Sequence, residues 1–319
     1  MNFVFWISEI GIAALFVLCA FVAWKRRDAA RSLSVLVSAA LFAWIFENLN
    51  VHQVVGRGAY SYNEKFAVFL DRVPLFIVLS WAIILWTAMQ IVTSSTRSLP
   101  QRVCRDASLA VLLDLGFDAT AIRHEFWTWH GVALNEAWFG VPAGNFFGWL
   151  WVSIAFSYGT RVLDREVKSV RTRNILQIFI LPPLAFVAYR GIETITNFGL
   201  AKIGWNPQTA RTDATALWAF AMVFCVVVAI ALWPTKTENS NIEPNIEYSN
   251  DNVGVIALWL AHATRWSFHA FAIGGLLVLP ASTPFLAQQK PALLAVAGLM
   301  FVADLLYLRL LRRKTISRQ

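Results

Sequence analysis

The chain has 319 residues, of which 58% are hydrophobic and only 14% charged, far from the roughly quarter-charged makeup of a soluble domain. That composition excludes a soluble globular protein and predicts an integral membrane protein. The formal net charge of +8 does not mark a nucleic-acid binder, because the Lys and Arg residues fall in short clusters between apolar runs, where they set orientation in a bilayer.

A spanning helix needs about 20 mainly apolar residues. The first such run covers residues 3–24 and stops at Lys25, Arg26, Arg27 and Asp28. Its basic cluster follows the apolar stretch, so it reads as a spanning helix and not as a cleavable signal peptide. The second covers 33–49 and carries Glu47 near its far end, followed by a Gly- and Tyr-rich stretch. The third covers 66–92, with Pro74 in its first turns, where a missing amide donor costs least. The fourth covers 105–122 and holds Asp114 and Asp118.

Residues 123–145 are too polar to span, and Gly131, Gly140, Pro142 and Gly144 break the run. This Trp-rich segment fits an interfacial or re-entrant position, in which protein or cavity water satisfies an irregular backbone; it has the makings of a lid. The fifth helix is expected over 146–163, before the basic loop with Arg165, Lys168, Arg171 and Arg173. The sixth covers 175–199, with a kink at Pro182 and Pro183 and a pair, Arg190 and Glu193, three apart on one face. The seventh covers 214–233, and a polar linker follows over 234–252. The eighth, 253–279, carries His262, Arg265 and His269 on one stripe, with Arg265 expected to neutralise a buried acid. The ninth covers 292–311 and contains Asp304.

The expected fold is therefore all-α: one polytopic membrane bundle over residues 1–319, with eight or nine spanning helices. The Lys/Arg clusters fall in alternate loops, so the positive-inside rule puts the amino terminus outside and the carboxyl terminus in the cytoplasm. A bacterial inner membrane is the expected location. Residues 50–65 and 123–145 then share the outer side, where one pocket can hold both Glu47 and Asp118.

The chemistry concentrates at 114–149. Asp114 and Asp118 lie four apart, on one helical face, and carboxylates at membrane depth mark a functional site by default. The bland reading of this pair is a salt bridge to Arg265 or another buried base that fixes helix packing. Trp127, Trp129, Trp138, Trp149 and Trp151 cluster beside the acids. An aromatic belt is ordinary at an interface, but aromatic faces also stabilise cations. His124 with His130, and His262 with His269, lack the i, i+4 spacing of a helical ligand pair, and the cysteines Cys19, Cys104 and Cys225 form no cluster, so no metal is expected. The sequence has no phosphate loop, dinucleotide fingerprint or nucleophile elbow.

The same stretch resembles the carotenoid biosynthesis membrane family that includes the carotenoid 1,2-hydratases and bisanhydrobacterioruberin hydratase. The pattern is an Asp-x-x-x-Asp helix, then Trp-x-Trp, then an aromatic-Gly-Val-Pro run leading to Asn-Phe-x-Gly-Trp. It appears as Asp114 and Asp118, Trp127 and Trp129, Phe139 to Pro142, and Asn145, Phe146, Gly148 and Trp149. Glu47, Val51, Gly56, Gly58, Tyr60 and Tyr62 are similar to the family's Glu-then-Gly/Tyr segment. The likeness covers about residues 40–165, and Ala119 stands where the pattern has proline.

The resemblance implies cofactor-independent addition of water to the terminal double bond of an acyclic carotenoid end group. In that chemistry Asp118 gives the proton, Asp114 shares it, and Glu47 or Asn145 positions the water. Trp127, Trp129 and Trp149 face the cation, and Phe139, Phe146, Tyr60 and Tyr62 complete the substrate site. The partners implied are a lipophilic polyene and membrane lipid. The same acid and aromatics also suit a prenyl cyclase or isomerase, and buried acids suit a transporter's proton relay, although no internal repeat supports the latter.

Overall fold

The structure, a computed structural model, describes residues 3–52, 60–91, 98–202, 214–233, 252–278 and 284–316. They form an all-α bundle of nine helices: α1 (Phe3–Lys25), α2 (Ala29–Val51), α3 (Leu75–Ile91), α4 (Leu99–Ala121), α5 (Ala143–Glu166), α6 (170–202), α7 (Ala214–Leu232), α8 (Asn252–Val278) and α9 (Pro284–Ile316). Five of them are long and apolar enough to cross a membrane by length and composition: α1, α2, α6, α7 and α9. The expected linker, except for its last residue, and Gly56 and Gly58 lie outside the described residues.

The more polar α4 sits in the middle, packed on α3, α5, α7, α8 and α9. Enclosure by other helices explains how a segment with Asp106, Asp114 and Asp118, all buried, persists in a membrane bundle: protein groups satisfy what lipid cannot. Its start is earlier than the hydropathy suggests, at Leu99, because the Ser98 backbone N–H donates to Gln101 Oε1 at 3.3 Å and Pro100 occupies the first turn, where its missing donor is harmless.

One expectation is corrected in detail. The third helix begins at Leu75, not at 66. Ahead of it, strands β2 (Phe69–Leu70) and β3 (Val73–Pro74) pair antiparallel across a tight turn, with Asp71 at φ 59°. Pro74 therefore sits in a two-stranded edge, where an absent donor is tolerated, and Leu75 N–H donates back to Val68 O at 2.8 Å. The His52 ring is hydrogen-bonded to the Asp71 carboxylate and fixes this turn to the end of α2. A further detail concerns Pro182 and Pro183. A π-helical turn, Leu176–Ile180, precedes them, and the helix then continues as Leu181–Lys202. The wider turn accommodates a ring that cannot donate and would crowd the preceding carbonyls. Gln177, buried inside that turn, binds Arg31, Ser38 and Thr160 and joins α6 to α2 and α5.

The stretches 60–62 and 127–129 meet. Strand β1 (Tyr60–Tyr62) pairs antiparallel with β4 (Trp127–Trp129), Tyr60 opposite Trp129 and Tyr62 opposite Trp127. The link continues where Asn63 N–H donates to Phe126 O at 3.1 Å and Asn63 Nδ2 to Glu125 O at 2.8 Å. The loop after β4 is held down by Arg123, which donates to Ala119 O at 2.7 Å, Phe139 O at 2.9 Å and Gln289 Oε1 at 2.6 Å. Gly140, at φ +87°, closes the loop where a Cβ would lie 3.0 Å from both Ile122 Cδ1 and Leu134 Cα, so only glycine fits without strain.

Candidate active site

Beneath the β1–β4 pair lies a cavity of about 60 Å³, walled by α2, α3, α4 and α5. Glu47, Asp118, Asn145, Tyr60, Tyr62, Trp127, Trp129 and Trp149 all line it. Eight of the eleven residues singled out in the sequence thus meet in one place. Asp114 stands directly behind Asp118, fully buried, outside the lining itself. Phe146 and Phe139 lie elsewhere: Phe146 packs between Trp138 and Phe220 of α7, and Phe139 lies edge-on to Trp138 in the loop.

The acidic pair is bridged by one amide. Asn145 Nδ2, in the first turn of α5, donates to Asp118 Oδ2 at 2.6 Å and to Asp114 Oδ2 at 3.0 Å. Both carboxyl groups thus converge on the same donor. Two carboxyl groups brought to one amide in a buried site repel each other when both are ionised.

Asp106 offers an internal contrast on the same stripe of α4. It receives the Arg161 guanidinium of α5 through two N–H donors, at 2.8 and 2.9 Å, and the Ser157 hydroxyl as well. Arg265, expected to neutralise a buried acid, does so at Asp304 of α9; both are fully buried, and Arg265 Nη2 also donates to Leu109 O at 2.8 Å. Along one helix face, an arginine answers one aspartate while an amide answers the other two. Arg265 thus serves Asp304 and not the acid pair, and Arg161, which serves Asp106, was not singled out in the sequence.

Across the cavity, Glu47 accepts from three donors: Tyr62 Oη at 2.8 Å, Trp81 Nε1 at 2.7 Å, and the Tyr60 hydroxyl. Burial first, and then the Glu47 charge, hold both phenols well above the usual tyrosine range, so they remain donors at any physiological pH. Trp81 was missed in the sequence because a lone tryptophan inside an apolar helix carries no signal of its own. It stacks on Trp149 with ring centroids 3.9 Å apart and an interplanar angle of 26°. Phe76 and Phe117 were missed for the same reason and complete an aromatic wall with Trp127. The indole N–H of Trp129 is buried without a partner among the described residues. A site of this kind brings a pair of buried carboxyl groups, aromatic faces and a hydrogen-bonded glutamate to one small cavity.

No curated protein and no solved structure matches the chain. A family model, described as carotenoid biosynthesis protein, matches residues 3–201, which takes in α1 to α5, nearly all of α6, and every residue that lines the cavity. The chain belongs to the carotenoid biosynthesis protein family.

Proposed function

We propose that this membrane protein adds water to the terminal trisubstituted double bond of an acyclic carotenoid end group, giving a tertiary alcohol without a cofactor. The observation that carries the reading is the contrast on α4: Asp114 and Asp118 share one amide donor beside an aromatic cavity, whereas Asp106 is matched by Arg161.

The Asp118 carboxyl, which lines the cavity, gives its proton to the less substituted alkene carbon, and the adjacent carbon becomes a tertiary cation. The faces of Trp127 and of the Trp81–Trp149 stack stabilise that charge by roughly 2 kcal/mol each when desolvated. A water then adds through oxygen to the cationic carbon. Its surplus proton passes to Glu47 and returns to the aspartate pair, so the enzyme ends as it began and the product gains one water. Trp129 N–H supplies a donor to hold that water, and a cavity of about 60 Å³ has room for it. Asn145 keeps the two acids together. The basic clusters put the site near the outer face of the cell membrane, with the carboxyl terminus cytoplasmic.

The test is Asp118→Asn, assayed by mass analysis of pigment extracts from cells that supply an acyclic polyene. An amide retains the volume and much of the hydrogen bonding but cannot protonate carbon, so conversion falls by about 10²–10⁴-fold while the protein still folds. A folded variant with undiminished conversion refutes the assignment. A wild-type product of unchanged mass indicates cyclisation or isomerisation, and no change in the pigment favours the transporter reading.

A further inference from the structure

The cavity beside Asp118 is far too small for the substrate the proposed reaction needs. About 60 Å³ holds a few waters or a branched end group, whereas a long polyene has to continue somewhere. The β1–β4 pair covers this cavity with Tyr60, Tyr62, Trp127 and Trp129, and a polyene has negligible solubility in the aqueous phase beyond it.

A second cavity, of about 470 Å³, lies between α1, α3, α4 and α8 and is lined almost entirely by apolar side chains. Its outer wall is α1 from Ile7 to Leu18, two residues half-exposed on the helix surface, a span of about 16 Å at about 1.5 Å per residue. Its inner wall includes Phe76 and Phe117, and these same two rings line the cavity of Glu47 and Asp118. The two spaces thus have these two aromatic residues in common as lining.

We infer that the α1–α8 groove binds the unreacted polyene chain of the substrate, which enters sideways from the membrane and passes its end group between Phe76 and Phe117 to Asp118. The inference rests on the proposed hydration only for the fate of the end group; occupancy of the groove is a separate matter of shape and apolarity. Part of the groove wall, Ser267, Phe268 and Phe271 of α8, lies beyond the stretch that the family model matches, so this chain shapes that wall with residues of its own last third.

Gly11 provides the test. It lines the groove, and a Cβ placed there meets no atom within 4 Å, so a side chain added there starts into open space. Leucine also favours a helix more than glycine does. Full-length protein in lipid nanodiscs is titrated with a long acyclic polyene, read by quenching of tryptophan fluorescence, and products are weighed by mass spectrometry. Gly11→Leu weakens binding of the long polyene by about tenfold or more, since several buried methylenes are displaced, while Gly11→Ala binds like wild type. A short acyclic isoprenoid with the same terminal alkene is handled equally by all three. A second arm locks the cover: Ser61 and Thr128 are opposite each other and exposed, so Ser61→Cys with Thr128→Cys forms a disulfide under oxidation, and the locked protein still takes up polyene.

Undiminished long-polyene binding by Gly11→Leu overturns the inference, as does a wild-type protein that binds no polyene. Uptake that stops on locking and returns on reduction also overturns it, because entry is then through the cover. If Gly11→Leu loses binding but wild type leaves the bound polyene chemically unchanged, the groove stands and the hydration reading falls.

Discussion

Asp106, Asp114 and Asp118 occupy one stripe of α4 but answer to different partners, and substitution separates them. Asp106→Asn leaves the Arg161 guanidinium buried without its counter-charge, which costs about 3–5 kcal/mol, and is seen as loss of folded protein and a lower melting temperature. Asp114→Asn strands no cation. It removes one charge of a pair that titrates as a unit, so the protein folds and the conversion lost is smaller than for Asp118→Asn. Equal stability of the Asp106 and Asp114 variants would contradict this division. The i, i+4 spacing made the pair legible in the sequence, as did the Trp-x-Trp and Asn-Phe-x-Gly-Trp runs beside it. Trp81, Phe76 and Phe117 were illegible, because an aromatic residue in an apolar helix has the same appearance whether it meets lipid, core or substrate. Phe139 and Phe146 show the reverse: they sit within a telling motif, yet their side chains pack against Trp138 and Phe220.

Among the elements, α8 is tied to its neighbours by charge. Arg265 and Asp304 are fully buried and paired, with Leu109 O of α4 as a third partner. Arg265→Leu strands Asp304 and lowers the melting temperature by an amount corresponding to about 3–5 kcal/mol, whereas Arg265→Leu with Asp304→Leu recovers most of it, since an apolar pair replaces an ionic one with no charge left behind. A double variant no better than the single would show that geometry, not charge, holds this contact. The turn after α4 adds a pH dependence. Burial holds the His124 imidazole below its ordinary value, so it is neutral at pH 7, and the unfolded chain takes up a proton first on acidification. Its contribution is present above about pH 6.5 and is lost as pH falls through the lower, folded value. The melting temperature accordingly drops between pH 7 and 5, and His124→Gln reduces that drop; an unchanged slope in the variant would refute it. Hydropathy read all nine helices because each apolar run carries its own signal. It could not read β1, β4 or the β2–β3 turn, because strands two or three residues long have no periodicity and their pairing depends on chain brought from far away.

At the scale of the whole molecule, pairing of β1 with β4 puts the α2–α3 and α4–α5 connections on one side of the bundle, in agreement with alternate loops facing alternate sides. Reporter fusions after Lys65 and after Lys168, with three helices between them, should therefore read opposite compartments; identical readings would remove one of those helices from the membrane. The order of synthesis gives the β1–β4 pairing a further consequence. Tyr60 and Tyr62 leave the ribosome well before Trp127 and Trp129, and 65 residues separate the paired Tyr62 and Trp127, or roughly 3–13 s at about 5–20 residues per second. During that interval β1 is an open edge, and the Glu47 cavity lacks the α4 and α5 walls that later close it. Chains arrested before Phe126 should be cut by protease at 60–65, and chains released after Trp149 should be protected there, so the covered cavity is finished only once α3 and α4 have both entered the bilayer.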